Sequence, residues 1–177
     1  MPAISFSASC AEPVTIAADG SIAQVEMTSC GLNGGDLRGI GTYPAAIACQ
    51  LRSGSGACHM DQAGKDRESH PAFTQTGADR EENADQYITN LRSGAVAVYK
   101  YFDLSGTQQI SLRLRGDAGS VKVYDRAGGE LLAEVPFGGA TEYTDCSASL
   151  IGGKAHSALT LVFETDGAMD FSEITLG

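Results

Sequence analysis

Ile110-Ser-Leu-Arg-Leu-Arg-Gly-Asp-Ala-Gly-Ser-Val-Lys-Val-Tyr124 decides the fold class. Its first six residues alternate apolar and polar, a Gly-Asp-Ala-Gly turn follows, and the alternation resumes at Val121. Successive side chains of a strand point to opposite faces, so a period of two marks a sheet with one face buried and the other wet. Two such runs across a short glycine turn read as antiparallel strands.

The same rhythm continues downstream over 131–135, 158–163 and 171–176, and upstream over 22–28, 45–51, 86–91 and 95–104. With 22 glycines among 177 residues, no stretch carries a strong apolar stripe at helical spacing. Short strands recurring every ~8–12 residues predict a sandwich of two sheets. The expected architecture is all-β, a jelly-roll β-sandwich of two antiparallel sheets over 22–177, preceded by an extension or edge strand over 1–21. Two regions break the rhythm, a glycine-rich loop over 30–42 and a long polar stretch over 52–83. Loops carry recognition in sandwich folds, so a binding surface is sought there first.

The length fits one domain with one core. A net charge of -10, from 22 acidic against 12 basic residues, repels phosphate backbones and anionic lipid. Nucleic acid and membrane surfaces are therefore excluded as partners. No apolar run reaches the ~20 residues of a membrane-spanning helix, and residues 1–10 lack the basic start and apolar middle of a secretory signal. A soluble chain is expected, beginning abruptly like a mature segment or a piece of a longer, secreted polypeptide.

Cys10, Cys30, Cys49, Cys58 and Cys146 are odd in number, so at least one is unpaired or bonds to another chain. None forms the CxxC pairs of a zinc site. Buried small side chains with one or two disulfides are expected, Cys30 and Cys49 being the leading candidate pair.

Catalytic motifs do not emerge. His59, Asp61, Asp66, Glu68, His70, Asp79, Glu81 and Glu82 form a dense titratable run, but their spacing frames no metal hydrolase, and charge runs in long loops are usually solvated. Neither a Gly-x-Ser-x-Gly elbow nor a phosphate loop is present. A non-catalytic role is the expectation.

Three segments together resemble the family 6 carbohydrate-binding modules: Gln24-Val-Glu26, then Gln86-Tyr-Ile-Thr-Asn90 running into Val98-Tyr-Lys-Tyr101, then Leu161-Val-Phe163 with Met169-Asp-Phe171 and Ile174. Stretches 24–35, 70–77, 79–83 and 99–103 are similar to the version found at the C-terminal end of some family 43 glycoside hydrolases, which act on arabinose- and xylose-containing polysaccharides. The resemblance implies a jelly-roll sandwich, a structural calcium ion, binding of xylan, arabinoxylan or a related β-glycan, and a covalently linked catalytic domain that the module targets. A structural accessory domain, packed on a catalytic partner without sugar of its own, is the alternative.

For calcium the resemblance implies Gln24, Glu26 and Asp170, hard oxygen donors of the kind the ion prefers. Solvated carboxylates at strand ends are the competing reading. For sugar it implies aromatic platforms beside hydrogen-bonding amides, and Phe73, Tyr87, Asn90 and Tyr143 fall near those positions. Tyr87 reads first as a core strand residue, and a shift of one step would bring Asp170 to the sugar. The chain departs from the family pattern in having no Trp and in carrying Ala168 two residues before Asp170, where the family has Asn.

Overall fold

The computed structural model describes residues 11–56, 69–76 and 85–177. Twelve strands are found there: β1 Leu37–Arg38, β2 Gly41–Pro44, β3 Gln50–Arg52, β4 Ala72–Gln75, β5 Gln86–Leu91, β6 Val96–Asp103, β7 Gln109–Gly116, β8 Gly119–Tyr124, β9 Leu131–Phe137, β10 Ala140–Ser149, β11 Ser157–Thr165 and β12 Met169–Leu176. One sheet runs β1-β6-β11-β8-β9 with β3 also on β6, and the other runs β10-β7-β12-β5-β4 with β2 also on β12. Pairing is antiparallel throughout except for the two residues of β1, which lie parallel to β6. The jelly-roll sandwich expected from the alternation is the observed fold.

Alternation translates directly into packing. On β7, Ile110, Leu112 and Leu114 are fully buried while Ser111, Arg113 and Arg115 point outward. Across the core they meet Val121, Val123, Leu159, Leu161 and Phe163 of the first sheet, joined from their own sheet by Phe171 and Ile174. Each such side chain contributes about 1.5–3 kcal/mol by leaving water. Tyr99 is the one buried tyrosine of the interior, and its hydroxyl donates to the Ala45 carbonyl at 2.9 Å, which satisfies the only polar atom it brings inside.

Several sequence expectations are revised. Residues 22–28 form no strand; only an isolated bridge, Ile16 to Ile22, closes a hairpin there, straddling the boundary expected between 21 and 22. Over 45–51 a single 3-10 turn, Ala45–Ile47, precedes the short β3. Cys30 and Cys49 are not bonded to each other. Both are free thiols, as is Cys146. The sulfurs of Cys49 and Cys30 are instead tied to β6: that of Cys49 donates to the Val98 carbonyl at 3.3 Å, and that of Cys30 accepts from Tyr101 N at 3.3 Å. Cys10 and Cys58 lie outside the described residues.

Candidate functional site

The second sheet turns its outer face to solvent, and strand pleating decides which side chains stand on it. Arg113 and Arg115 share the outer face of β7, Asp170 stands beside them on β12, Tyr87 on β5 and Tyr143 on β10. The two tyrosines come from strands separated by β7 and β12 in the sheet, yet their rings meet edge to face, 6.1 Å between centroids at 76°. Beneath them lies Arg115, its guanidinium 4.6 Å from the Tyr143 ring centroid and 5.1 Å from that of Tyr87. Both distances fall within cation–π range.

Asp170 holds that guanidinium in place. Its Oδ2 lies 2.9 Å from Arg115 Nε and 2.8 Å from Nη2, while Oδ1 accepts from Thr89 Oγ1 at 2.6 Å and from Asn90 N at 3.3 Å. With one flexible arginine pinned from below, the aromatic pair stands on a fixed base. The Tyr143 hydroxyl is buried and has no hydrogen-bond partner. Burial pushes its pKa up to about 12, although the neighbouring Arg115 charge pulls the other way. It is therefore a neutral O–H at ordinary pH, an unspent donor and acceptor in an aromatic setting.

The tyrosine–arginine group stands between two clefts. One, of about 470 Å³, is lined by Tyr87, Tyr143, Arg113, Glu173, Asp85 and Thr76. The other, of about 550 Å³, is lined by Arg115, Asp117, Thr141, Ala168 and Asp170 among others. A third cleft of about 690 Å³ at the other end of the molecule has no aromatic lining, and its polar groups are engaged locally: Asp36 by His156, Asp103 by Ser105, Thr107 by the Gly39 carbonyl. Aromatic faces with hydrogen-bonding groups at their rim suit a ligand that has apolar faces edged with hydroxyls, so the tyrosine face is the candidate site.

The remaining expected residues distribute differently. Phe73, on β4 opposite Ile88, packs against the core and does not reach the tyrosines. Asn90 adopts a left-handed conformation, φ 59°, and its side chain is committed to the fold: Nδ2 donates to the His70 carbonyl at 2.9 Å and Oδ1 accepts from Arg92 at 2.9 Å. Of the titratable run, His70 is described and the other seven residues lie outside the described residues.

Gln24, Glu26 and Asp170 are not brought together. Glu26 accepts from Lys100 Nζ at 2.8 Å and from the Tyr101 hydroxyl at 3.0 Å, beside β6 of the first sheet, and the Lys100 hydrogen bond holds its carboxyl below the ordinary glutamate value. Asp170 is bound to Arg115 in the second sheet. Gln24 is exposed outside any strand. Each carboxylate has a cation of its own as a partner, and no group of three His, Cys, Asp or Glu fit to hold a metal occurs among the described residues. Sequence reading missed Arg115; the signal was its place two residues from Arg113 on the wet face of the most regular strand in the chain.

No family model matches the chain. A xylosidase/arabinosidase of Thermoclostridium stercorarium is 37% identical over 169 residues, which is 94% of this chain and 36% of that protein. The chain thus spans about a third of that relative's length. Among solved structures, the family 43 arabinoxylan arabinofuranohydrolase of Bacillus subtilis, in complex with cellotetraose, superposes with a TM-score of 0.64 at 16% identity, covering 93% of this chain and 33% of that one. A family 6 carbohydrate-binding module of Clostridium cellulolyticum, in complex with xylose, gives 0.60 at 15% identity and covers 80% of this chain and 99% of its own. The chain resembles a family 6 module of the kind joined to family 43 glycoside hydrolases, and it shares that fold.

Proposed function

We propose that this chain is a non-catalytic carbohydrate-binding module that holds a plant cell-wall polysaccharide, xylan, arabinoxylan or a related β-glycan, on the outer face of its second sheet and thereby targets an attached glycoside hydrolase. The observation that carries the reading is the Tyr87–Tyr143 pair seated on Arg115 at the wall of an open cleft. A pyranose presents apolar C–H faces to aromatic rings and hydroxyls to Asp85, Thr76 and Glu173 at the cleft wall. Likeness to a xylosidase/arabinosidase over nearly the whole chain supports the xylan assignment and the attached hydrolase, and it supports action outside the cell. No helix among the described residues is long and apolar enough to cross a membrane.

Phe73 and Asn90 contribute to this site by supporting the sheet. A structural calcium ion, which the resemblance implies at Gln24, Glu26 and Asp170, would require Glu26 to release Lys100 and Asp170 to release Arg115.

Titration calorimetry with xylohexaose, arabinoxylan oligosaccharides and cellohexaose tests the proposal. Saturable binding is expected, weakened up to about tenfold by Tyr143→Ala, since an aromatic contact contributes roughly 0.5–1.5 kcal/mol beyond its area. Flat titrations with all three glycans overturn it.

A further inference from the structure

On β12 the apolar spacing slips from two to three: Phe171 and Ile174 are both fully buried, and the register against β7 shifts between Phe171 and Glu173. Such a bulge re-aims a side chain, and here two successive residues, Ser172 and Glu173, line the cleft that Tyr87 and Tyr143 line. The Ser172 hydroxyl is spent on the Arg113 carbonyl at 3.3 Å, so Glu173 is what the bulge adds to the wall. Asp85, just before β5, is exposed on the same cleft. Its backbone carbonyl accepts from Thr76 N, and its carboxylate is paired with no cation among the described residues.

The two arginines of this face do not offset those carboxylates. Arg113 is bracketed by two acids, Nη1 3.7 Å from Asp145 Oδ1 and Nε 4.0 Å from Glu173 Oε2, and Arg115 is bound by Asp170. With Asp117 in the second cleft, five carboxylates stand against two guanidinium groups, on a chain whose net charge is -10. An ionised carboxylate only accepts hydrogen bonds, so Asp85 and Glu173 suit the hydroxyl donors of a neutral sugar. A uronic acid brings a further acceptor-only anion, which meets like charge and finds both guanidinium groups engaged. Repelled charge discriminates between ligands whose other contacts are the same.

We propose that Asp85 and Glu173 set the charge specificity of the tyrosine face, which holds neutral β-glycan and rejects a chain that carries a uronic acid carboxylate at the bound stretch. Charge selection here rests on the sugar site of the proposed function and adds to it which decorated glycans that site refuses.

Calorimetry with three oligosaccharides tests it: xylohexaose, xylohexaose bearing a glucuronic acid branch, and the branched form after its carboxyl is reduced to a primary alcohol, which keeps the shape and removes the charge. At ~10 mM salt, where the screening length is ~30 Å, the reduced form is expected to bind about fivefold more tightly than the uronate, the effect of a like-charge contact across water. Near ~1 M salt, where that length is ~3 Å, the ratio should fall toward unity. Asp85→Asn with Glu173→Gln should bring it toward unity at low salt as well; the ratio is the readout, whatever the double variant does to either affinity. Equal affinities of the wild type for both branched forms at low salt overturn the proposal, as does a ratio that neither salt nor the double variant moves. Refusal of both branched forms alike overturns it, because shape and not charge then decides. Tighter binding of the uronate overturns it too, since Arg113 then leaves Asp145 and Glu173 for the ligand carboxylate. Xylohexaose tells this selection apart from the site itself: flat titrations with every oligosaccharide bring down the sugar site and the charge selection together, whereas xylohexaose binding without a charge ratio leaves the site standing.

Discussion

Asp170 binds Arg115 through a single oxygen, Oδ2, which lies within 2.9 Å of both Nε and Nη2, leaving Oδ1 for Thr89 Oγ1 and Asn90 N. One carboxylate thereby joins β12, β7 and β5 on the face that carries the tyrosines. Both partners keep partial contact with water, at 30% and 21% side-chain exposure, so screening limits the strength of the pair.

Asp170→Ala removes the acceptor from four donor atoms on three residues at once. Stability should fall by about 1–2 kcal/mol, the range for losing hydrogen bonds to a charged group that water can partly replace. Arg115 also loses its anchor, so sugar affinity should fall with stability. Urea unfolding measures the first and calorimetry the second; an unchanged unfolding midpoint would show that the carboxylate holds nothing together.

Much of the sandwich was legible because it is built by alternation. Strand β5 is found at the expected 86–91, and the expected strands at 110–115, 121–124 and 158–163 extend by one or two residues at one or both ends. Strand β10 was not read, since its ten residues, Ala-Thr-Glu-Tyr-Thr-Asp-Cys-Ser-Ala-Ser, carry no large apolar residue at a period of two, and their pairing to β7 is set by tertiary contact. At the site, Tyr87 and Tyr143 were legible as aromatic residues, and the structure brings them together. Arg115 was not, because nothing local in Leu-Arg-Leu-Arg-Gly shows which rings will close over a wet-face arginine. Gln24 and Glu26 lie in 22–28, where alternation predicts a strand and none forms, and Glu26 takes Lys100 as its cation.

Alkaline titration should expose the buried Tyr143 hydroxyl. Its folded pKa, about 12, lies above the ordinary value of 10.0, so the native state favours the protonated phenol. That contribution to stability is fully present below pH 10 and is lost as pH rises through 12. Tyr143→Phe should therefore lose less stability than the wild type between those limits, with Tyr99, whose pKa is also raised by burial, affecting both proteins alike. Equal slopes in the two melting curves would place the Tyr143 hydroxyl in water.

Glu26 and Asp170, as they are engaged, should contribute nothing to any response of the melt to calcium. Binding at Glu26 or Asp170 would have to displace Lys100 from one and Arg115 from the other, each already within 2.8 Å. Differential scanning calorimetry with millimolar calcium and then with chelator measures this. A melt raised by calcium in the wild type and not in Glu26→Gln would mean that these carboxylates regroup around the ion.

Gly116 should tolerate no side chain. It ends β7 with φ 114°, in the region that L residues rarely adopt, and a Cβ built on it falls 2.4 Å from the Ala168 carbonyl oxygen and 3.1 Å from Met169 Cα. Both contacts are backbone atoms of the neighbouring strand end, which cannot swing aside as a side-chain tip would. Gly116→Ala should cost at least the roughly 1–3 kcal/mol of a forced backbone conformation. The second cleft, which Gly116 lines together with Asp170, should shift with it. Gly138→Ala is the matched control, since nothing lies within 4 Å of a Cβ there and its φ is not in the left-handed region. Urea midpoints for the two variants measure the difference; equal midpoints would mean that β7 and the start of β12 can part without loss, contrary to the close approach on which the cleft depends.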